Sequence, residues 1–309
     1  MRNLIIVAFV ALTNASAGQA ATLPVDCDAG EKLQDKVRAA KPGDEIMVSG
    51  TCNESIAIAS EVTRITLNGQ GKATIQAPAM VPKAAPTFPF FIRGKEITIK
   101  GFTLNGGFDG VHLSGAAAGA SAIIDNNIIL GARRFGIHLD SGSVGHIANN
   151  RIENVGAAGI EVTEHSVARI GFLIPAFPQL GPNTIRNAGA DGIVVSRGSS
   201  AWIVGNTISA NKGSGVSVSR DSQADILGNL IAGNGADGIT ARYGAAINFS
   251  SEDTSRHEGP NSTGGGEKNA GVGIRCMVGG YVAGPLGTLA GVKGVKDIDA
   301  TCIDKTLQP

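Results

Sequence analysis

The sequence predicts an all-β solenoid, a fold in which short strands follow one another around coils that stack along one axis. Three observations lead to this prediction. Isoleucine, asparagine and glycine each return mostly every 23 or 24 residues between about Gly119 and Ile239. Polar residues alternate with the apolar ones, as in strands with one buried face. One irregular step of 33 residues is shared by all the apolar series, and a single inserted segment at 172–182 explains it.

Three apolar series define the strands of each coil. The first series is Ile123, Ile147, Ile170, Ile203 and Ile226. The second is Ile128, Ile152, Ile185, Ile208 and Ile231. The third is Val111, Ile137, Ile160, Ile193, Val216 and Ile239. Each coil is therefore expected to contribute three short strands, whose apolar residues stack on those of the neighbouring coils.

Asparagine and glycine recur at fixed positions beside these series. The asparagines two residues before the second series are Asn126, Asn150, Asn183, Asn206 and Asn229. Their side-chain amides are expected to stack and to hydrogen-bond along the axis. The glycines directly before the third series are Gly110, Gly136, Gly159, Gly192, Gly215 and Gly238. These glycines are predicted to supply the unusual backbone angles of a turn.

The Asn-x-Ile and Gly-Ile-x-Val repeats resemble those of the right-handed parallel β-helix proteins of the pectin-lyase-like superfamily. The resemblance covers most of the chain and implies a single-stranded, right-handed parallel β-helix with an N-terminal capping helix. Right-handed crossovers also agree with the general preference of parallel strands. Leucine-rich repeats have a similar length, but they are rich in leucine and usually carry a helical half.

The chain is expected to form one solenoid domain behind a secretory signal. The four segments are a signal peptide (1–20), an N-terminal cap (21–64), the β-helix coils (65–249), and a loop with the last coil and a C-terminal cap (250–309). The signal combines an arginine, a short apolar run and small residues, and the run is too short to anchor the chain in a membrane. A helix at 30–40, ending before Pro42, is expected to cover the open end of the first coil.

Four cysteines indicate two disulfides, Cys27 with Cys52 and Cys276 with Cys302. Metal binding is the alternative for these cysteines, but neither a Cys-x-x-Cys motif nor a neighbouring histidine supports it. Disulfides and a signal peptide predict an exported protein, periplasmic or extracellular, and we expect a monomer. The 26 basic and 26 acidic residues balance, which suggests neither nucleic acid nor an anionic membrane surface as a partner.

Two rows of side chains beside the third series are expected to point outward, stacked about 4.8 Å apart on successive coils. One row is His112, His138, Glu161, Val194, Ser217 and Thr240. The other is Ser114, Asp140, Thr163, Ser196, Ser219 and Arg242. Ionisable groups concentrate in the early coils, where Arg133 and Arg134 occupy the preceding turn. His112 and these two arginines are candidate substrate-binding residues.

This patch suits a lyase or an epimerase, which neutralises the carboxylate of a uronate and removes the proton from C5. His138 would be the base, Asp140 or Glu161 would orient it, and one of the two arginines would neutralise the carboxylate. Glycoside hydrolysis is the less favoured chemistry, with Asp140 and Glu161 as its pair of carboxyl groups. The simplest alternative is an ordinary polar surface on a solvated sheet face.

A second candidate row lies beside the first series and consists of Ala122, His146, Arg169, Trp202 and Asp225. A sugar ring could stack on Trp202, the only tryptophan, while Arg169 binds a carboxylate. The alternative is that the inserted segment folds back and buries Trp202.

Three aspartates, Asp109, Asp191 and Asp237, each precede a turn glycine. Hydrogen bonds to the turn backbone explain them, and calcium binding is the alternative. We therefore predict no metal and no cofactor.

The function expected is binding or processing of a polysaccharide, an acidic one, on a lateral face of the solenoid. The resemblance alone does not choose an activity, because this fold carries lyases, hydrolases, epimerases and adhesins. The Asp-Pro-His-Asp signature of alginate epimerases is absent, as are the signatures of polygalacturonases and of pectate lyases. The alternative is a non-catalytic structural or surface-adhesion scaffold, which the serine and threonine rows of the later coils support.

Overall fold

The computed structural model describes residues 20–116, 119–173, 179–250 and 259–307. In this part the chain forms a parallel β-solenoid of about 12 turns, which confirms the predicted fold class. Three parallel sheets of 12, 10 and 8 strands run along the axis. Apart from Ala20, the expected signal peptide lies outside the described residues.

The strands are numbered in chain order and fall into sheets A, B and C. Sheet A contains β1 (Thr22–Asp26), β2 (Glu45–Ser49), β5 (Thr66–Asn68), β8 (Ile97–Lys100), β11 (Ser121–Asp125), β14 (Val144–Ala148), β17 (Val167–Ile170), β22 (Ser200–Val204), β25 (Gln223–Leu227), β28 (Ala246–Asn248), β30 (Tyr281–Pro285) and β32 (Ile303–Leu307). Sheet B contains β3 (Thr51–Cys52), β6 (Thr74–Gln76), β9 (Thr103–Asn105), β12 (Ile128–Leu130), β15 (Arg151–Glu153), β20 (Thr184–Arg186), β23 (Thr207–Ser209) and β26 (Leu230–Ala232). Sheet C contains β4 (Ile56–Ile58), β7 (Phe90–Ile92), β10 (Val111–Ser114), β13 (Ile137–Asp140), β16 (Ile160–Val162), β21 (Ile193–Val195), β24 (Val216–Ser219), β27 (Ile239–Arg242), β29 (Ile274–Met277) and β31 (Lys296–Ile298). The inserted segment adds an antiparallel pair, β18 (Phe172–Leu173) and β19 (Gln179–Leu180).

The N-terminal helix α1 spans Leu33–Ala39 and is shorter than the predicted helix at 30–40. It begins at Leu33 because the carboxylate of Glu54 accepts hydrogen bonds from the backbone N–H groups of Leu33 and Gln34, at 3.0 and 3.3 Å. Leu33 and Val37 are fully buried against the first coil. This capping group comes from a later coil, so no local sequence signal marks the start of the helix.

The apolar series stack as predicted, but the first members of the first and second series are wrong by one residue, whereas Val111 of the third pairs with Ile137 as expected. Ile124 pairs with Ile147, and Ile129 pairs with Ile152. Ile124 is fully buried whereas Ile123 is 37% exposed. Both positions are doublets in the sequence, Ile123-Ile124 and Ile128-Ile129, so a period of 23 or 24 residues cannot choose between neighbours.

The asparagine ladder has the same one-residue error at its first member. Asn127 is buried and stacks on Asn150, while Asn126 is exposed with a φ of 54°. From there the ladder runs through the predicted members and continues to Asn261. Each side-chain oxygen accepts hydrogen bonds from the backbone N–H and the side-chain amide of the preceding member. In this way the ladder satisfies polar groups that the solenoid buries.

The six recurring glycines are required for space and not for unusual backbone angles. None of them has a positive φ, which corrects the predicted reason for their recurrence. A Cβ atom at Gly136 would collide with Cγ2 of Ile152 and would lie 2.6 Å from the carbonyl oxygen of Gly159. The same kind of contact recurs at each of the other five positions. Close packing of successive coils therefore excludes any side chain there.

Replacing Gly136 with alanine is expected to lower the free energy of unfolding by about 2 to 3 kcal/mol, because the added methyl group overpacks the stack. Denaturant unfolding measures this loss. Gly265 is the control, since a Cβ there meets nothing within 4 Å. Gly265→Ala should change stability by less than about 0.5 kcal/mol. Equal losses in the two variants would contradict the packing explanation.

Both predicted disulfides are confirmed, Cys27–Cys52 at the N-terminal end and Cys276–Cys302 at the C-terminal end. They join coils at the two ends of the stack, where each terminal coil has a neighbour on one side only. Disulfides are compatible with an oxidising compartment. Across the parts of the chain that the structure describes, no helix has the length and apolar character needed to span a lipid bilayer.

Candidate functional site

A cavity of about 520 Å³ opens on sheet C over strands β10, β13 and β16. The lining residues include Pro86, Phe88, Phe108, His112, Arg134, Phe135, His138, Asp140, Glu161, Thr163, Glu164 and Arg197. Pro86 and Phe88 come from the loop before β7, which therefore forms a wall of the cavity. The strand register places His112 beside His138, and His138 beside Glu161. The alternation of inward and outward residues thus brings the expected outward row into one cavity.

Asp109 anchors the base of this cavity and is fully buried. Its carboxylate accepts two hydrogen bonds from Arg134, Nε to Oδ1 at 2.9 Å and Nη2 to Oδ2 at 2.7 Å. Burial by itself would raise the pKa of Asp109, but the hydrogen bonds and charges of Arg134 and His138 together outweigh this effect and hold the pKa below its ordinary value. The guanidinium of Arg134 also lies over the rings of Phe108 and Phe135, at 4.4 and 4.5 Å. Arg134 is therefore a fixed part of the site.

His138 receives a hydrogen bond from this same arginine. Nη2 of Arg134 lies 3.0 Å from Nδ1 of His138, while Oδ2 of Asp109 lies 3.4 Å from that nitrogen. A guanidinium can only donate, so the shorter contact makes Nδ1 an acceptor and assigns the proton of the neutral ring to Nε2. In this arrangement His138 offers an N–H donor to the cavity. The predicted role of His138 as the base is not favoured by this geometry.

His112 is paired with Asp140, with 2.9 Å between Nε2 and Oδ2. Its other nitrogen lies 3.5 Å from Oδ2 of Asp109, and the rings of Phe88 and Phe91 pack against it. Burial would raise the pKa of Asp140, but the hydrogen bonds from His112 and Ser114 and the neighbouring histidines together outweigh it and hold the pKa far below its ordinary value. Asp140 is thus an ionised partner of His112, and it makes no hydrogen bond to His138.

Glu161 differs from every other carboxyl group of the cavity. Burial raises the pKa of Glu161 above its ordinary value of 4.5, and neighbouring cations only partly offset this effect. Among the described residues, no group donates a hydrogen bond to its carboxylate. A half-buried carboxyl group with raised proton affinity, facing a cavity, is suited to proton transfer.

Arg197 lies at the rim and was missed in the sequence. It forms an exposed ion pair with Glu164 at 3.2 Å, and such pairs contribute little energy. Arg133, in contrast, is exposed and does not line the cavity. A sequence signal for Arg197 exists, because it directly follows Ser196 of the second outward row. The residues at this position on successive coils are turn residues with a φ near 55°: Ser141, Glu164, Arg197 and Arg220.

One group in the cavity has the spacing of metal ligands. The ligand atoms of Asp109, His112 and His138 lie within 4.8 Å of one another. Arg134, however, donates to both the carboxylate of Asp109 and Nδ1 of His138, so a bound cation would face a fixed positive charge. These residues therefore do not fit a metal site.

The three turn aspartates have structural partners in the next coil. Oδ1 of Asp109, Asp191 and Asp237 accepts a hydrogen bond from the backbone N–H of Phe135, Ser214 and Val272, respectively, at 3.2, 2.6 and 2.9 Å. These bonds cross between coils, where a bond within the turn was expected. They account for the recurring aspartate without calcium.

The second candidate row lies on sheet A. His146 pairs with Arg169, and Arg169 pairs with Trp202. Its predicted first member, Ala122, is wrong because Ala122 is buried and Ile123 occupies that position. Trp202 stacks beside Phe172 of the inserted segment with 5.9 Å between ring centroids, yet it remains 41% exposed.

Comparisons with known proteins agree with this architecture. The sequence profile described as "Right handed beta helix region" matches residues 89–172 and 176–280. A comparison with curated protein sequences gave no match.

Among solved structures, the A-module of mannuronan C-5 epimerase AlgE6 from Azotobacter vinelandii is 13% identical, with 95% of this chain and 91% of that chain covered and a TM-score of 0.51. The pectate lyase Pel9A is 12% identical, with 93% and 78% covered and a TM-score of 0.59. Likeness at these identities shows the fold alone. Since the family profile matches more than half of the chain, the protein belongs to the right-handed β-helix family.

Proposed function

We propose that this protein binds and processes an acidic polysaccharide in the cavity on sheet C, with Glu161 as the group that transfers the proton. One observation carries the proposal: Glu161 lines the cavity with a raised pKa and no hydrogen-bond donor among the described residues. The cationic side chain of Arg197 lies at the rim of the same cavity. The two similar structures are a mannuronan epimerase and a pectate lyase, which adds support for an acidic substrate.

The chemistry proposed is removal of the C5 proton of a uronate unit. Negative charge then develops on the neighbouring carboxylate, so a cation bound to it stabilises the transition state. Glu161 accepts the proton, Arg197 binds the carboxylate, and Nε2–H of His138 donates a hydrogen bond to the substrate. If the C4–O bond then breaks, the electron pair released at C5 forms the double bond between C4 and C5, the departing oxygen takes a proton from water, and the chain is cleaved. If a proton returns to the opposite face instead, the sugar is epimerised.

Glycoside hydrolysis is the second candidate, and a specific observation favours it. The pKa of Glu161 is raised while that of Asp140 is lowered in the same cavity, the pattern of a general acid beside an ionised carboxylate. Against it, the carboxylate of Asp140 is already bonded to His112.

The products separate these reactions on a panel of uronans. A lyase generates the ultraviolet absorbance of an unsaturated sugar, whereas an epimerase incorporates deuterium from D2O at C5 without cleavage. A hydrolase releases reducing ends without new absorbance. We expect one of the first two results. No reaction with any uronan would contradict catalysis.

The serine and threonine rows of the later coils do not support the alternative of a non-catalytic adhesin. Ser217 and Thr240 are only 2% and 6% exposed, so they do not form a displayed surface. We also propose that the chain is exported to a periplasm or to the outside of the cell. The two disulfides support this location.

Replacing Arg197 with alanine is expected to raise the KM for the uronan by about 10- to 100-fold, since a hydrogen bond between charged groups contributes about 1.5 to 3 kcal/mol. Steady-state kinetics at several substrate concentrations measure the change. Arg220 is the matched control, because it occupies the same turn position one coil further and is exposed outside the cavity. An equal effect of Arg220→Ala would show that the arginines act only through general charge.

A further inference from the structure

We propose that sheet A carries a second carbohydrate site, where the indole of Trp202 stacks against a sugar ring and the guanidinium of Arg169 binds its carboxylate. The inference rests on the proposed function for its ligand class, a uronate unit of an acidic polysaccharide. Trp202 and Arg169 are neighbours on strands β22 and β17. The cavity with Glu161 lies on sheet C, so this site is a separate surface and not an extension of the cavity.

The indole of Trp202 is held in place by side chains of the preceding coil. The guanidinium carbon of Arg169 lies 5.1 Å from the ring centroid of Trp202. The ring of Phe172 lies at 5.9 Å and is inclined by 23°, and Phe172 itself is buried with Val204 and Leu227. Trp202 nevertheless keeps 41% of its surface exposed. A fixed and exposed aromatic surface loses little conformational entropy when a ligand stacks on it.

A shallow depression of about 240 Å³ lies beside this indole. Arg169 and Trp202 line one side of it and Val167 and Ser200 the other, because these pairs belong to adjacent outward rows. Between them lie Ala168 and Ala201, whose small side chains are buried. The volume is below the roughly 300 to 1,000 Å³ of pockets that enclose a whole ligand. It suits one unit of a longer chain that continues into solvent.

The charges around the depression favour an anionic ligand in one orientation. Among the described residues, no carboxylate forms an ion pair with Arg169. Trp202 lies between Arg169 of the preceding coil and Asp225 of the following coil. Burial is the main cause that lowers the pKa of His146, the neighbour of Arg169 in the preceding coil. The carboxylate of a bound uronate is therefore expected at Arg169.

A second site on another face would keep the protein on its polymer between turnovers. Two sites on one polymer raise the effective concentration of the substrate at the cavity, provided that the chain is long enough to reach both. Long uronans should therefore be bound more tightly than short oligomers. This difference in affinity between long uronans and short oligomers should disappear when either site is removed.

The only tryptophan reports directly on this surface, so intrinsic fluorescence tests the proposal in the full chain. Titration with oligogalacturonate and oligomannuronate should change the emission of the wild type saturably. The same titration of Glu161→Gln should give the same curve. Arg169→Gln should weaken binding of the acidic oligomers about tenfold, which corresponds to about 1.4 kcal/mol. A neutral oligosaccharide should bind weakly to the wild type and to Arg169→Gln alike.

Affinity electrophoresis in uronan gels extends the test to a variant without tryptophan. Trp202→Ala should lose about tenfold in affinity, as expected for the loss of stacking on an exposed aromatic ring. Tyr243 is the matched control, because it is 49% exposed and also lies beside an arginine, Arg242, at 5.8 Å. Tyr243→Ala should migrate like the wild type.

The outcomes separate this inference from the proposed function. Turnover of a uronan with no emission change, and with unchanged affinity of Trp202→Ala, would overturn the second site and leave the function intact. A saturable emission change without any turnover would support the site and contradict the proposed catalysis. If sedimentation shows that Trp202→Ala converts a dimer to a monomer, the surface is a contact between copies of the chain and the inference is wrong. Equal binding of neutral and acidic oligomers would overturn the ligand class.

Discussion

Replacing Glu161 with glutamine is expected to lower turnover of the uronan by about 10²- to 10⁴-fold, the usual contribution of a general acid or base. Glutamine keeps the shape of the side chain but cannot accept the proton. The loss should appear in kcat, because Glu161 acts on the reacting atom and Arg197 holds the substrate. The product assays described above measure the change.

The fold of this variant should be intact, which separates a catalytic loss from unfolding. Burial raises the pKa of Glu161, so the folded state disfavours its ionised form. When a carboxyl group has a higher pKa in the folded state than in the unfolded state, the free energy of unfolding of the protein falls as the pH rises through the folded-state pKa. Glu161→Gln lacks this loss and should be as stable as the wild type, or more stable, near neutral pH. Thermal unfolding at acidic and neutral pH checks the sign.

The pH profile of the wild type follows from the same shift. As the base, Glu161 must be ionised, so kcat/KM should rise as the pH increases through a value above 4.5. A fall over that range would instead show that Glu161 acts as an acid, as in the hydrolase alternative. Glu164 is the control carboxyl group, since it is exposed and paired with Arg197 at the rim. Glu164→Gln should retain turnover within about threefold.

Replacing Asn127 with alanine is expected to lower the free energy of unfolding by about 2 to 5 kcal/mol, because it leaves buried polar groups without partners. Its side-chain oxygen accepts a hydrogen bond from the backbone N–H of Phe102 at 3.0 Å. Its amide nitrogen donates to the carbonyl oxygen of Ile99 at 3.0 Å and to Oδ1 of Asn150 at 3.1 Å. All of these groups lie between coils, where water cannot replace the lost partner. Equilibrium denaturation with urea measures the loss.

The neighbouring asparagine provides a matched control and tests the register of the ladder. Asn126 is exposed and has a φ of 54°, a conformation that glycine adopts without strain. Asn126→Gly should therefore change stability by less than about 0.5 kcal/mol. A larger loss in Asn126→Gly than in Asn127→Ala would mean that the ladder begins at Asn126 and that the register is wrong.

The doublets show where the sequence pattern reaches its limit. A repeat period specifies how far apart stacked residues lie, but Ile123 and Ile124 fit it almost equally well. Only the burial of one face decides between them, because a shift of one residue turns every side chain of a strand to the other face. The recurring glycines show the same limit in another form. Their positions were predicted, but the reason, close approach of Ile152 and its equivalents, depends on the packed coils.

In the candidate site, the row of side chains could be predicted from the sequence, but the hydrogen bonds between them could not. The outward row of His112, His138 and Glu161 follows from alternation alone and was predicted. The bonds of Arg134 to Asp109 and of His112 to Asp140 were not, since they join residues 25 and 28 positions apart. The roles that we propose from those contacts therefore differ from the roles inferred from residue type. The bond of Arg134 to Nδ1 assigns the proton of His138 to Nε2, and Glu161 is the group that we propose for proton transfer.

The sequence by itself determined that the chain coils, how long each coil is and, except beside the isoleucine doublets, which side chains face outward, because burial of one apolar row per strand imposes a period that can be read directly. The tertiary structure alone decided which side chains of the cavity hydrogen-bond to one another, which arginine lies at its rim and which half-buried carboxyl group has no hydrogen-bond donor among the described residues. Those properties depend on distances of a few ångströms and on local dielectric screening. Both are set by neighbours on adjacent coils, and a one-dimensional repeat does not contain them.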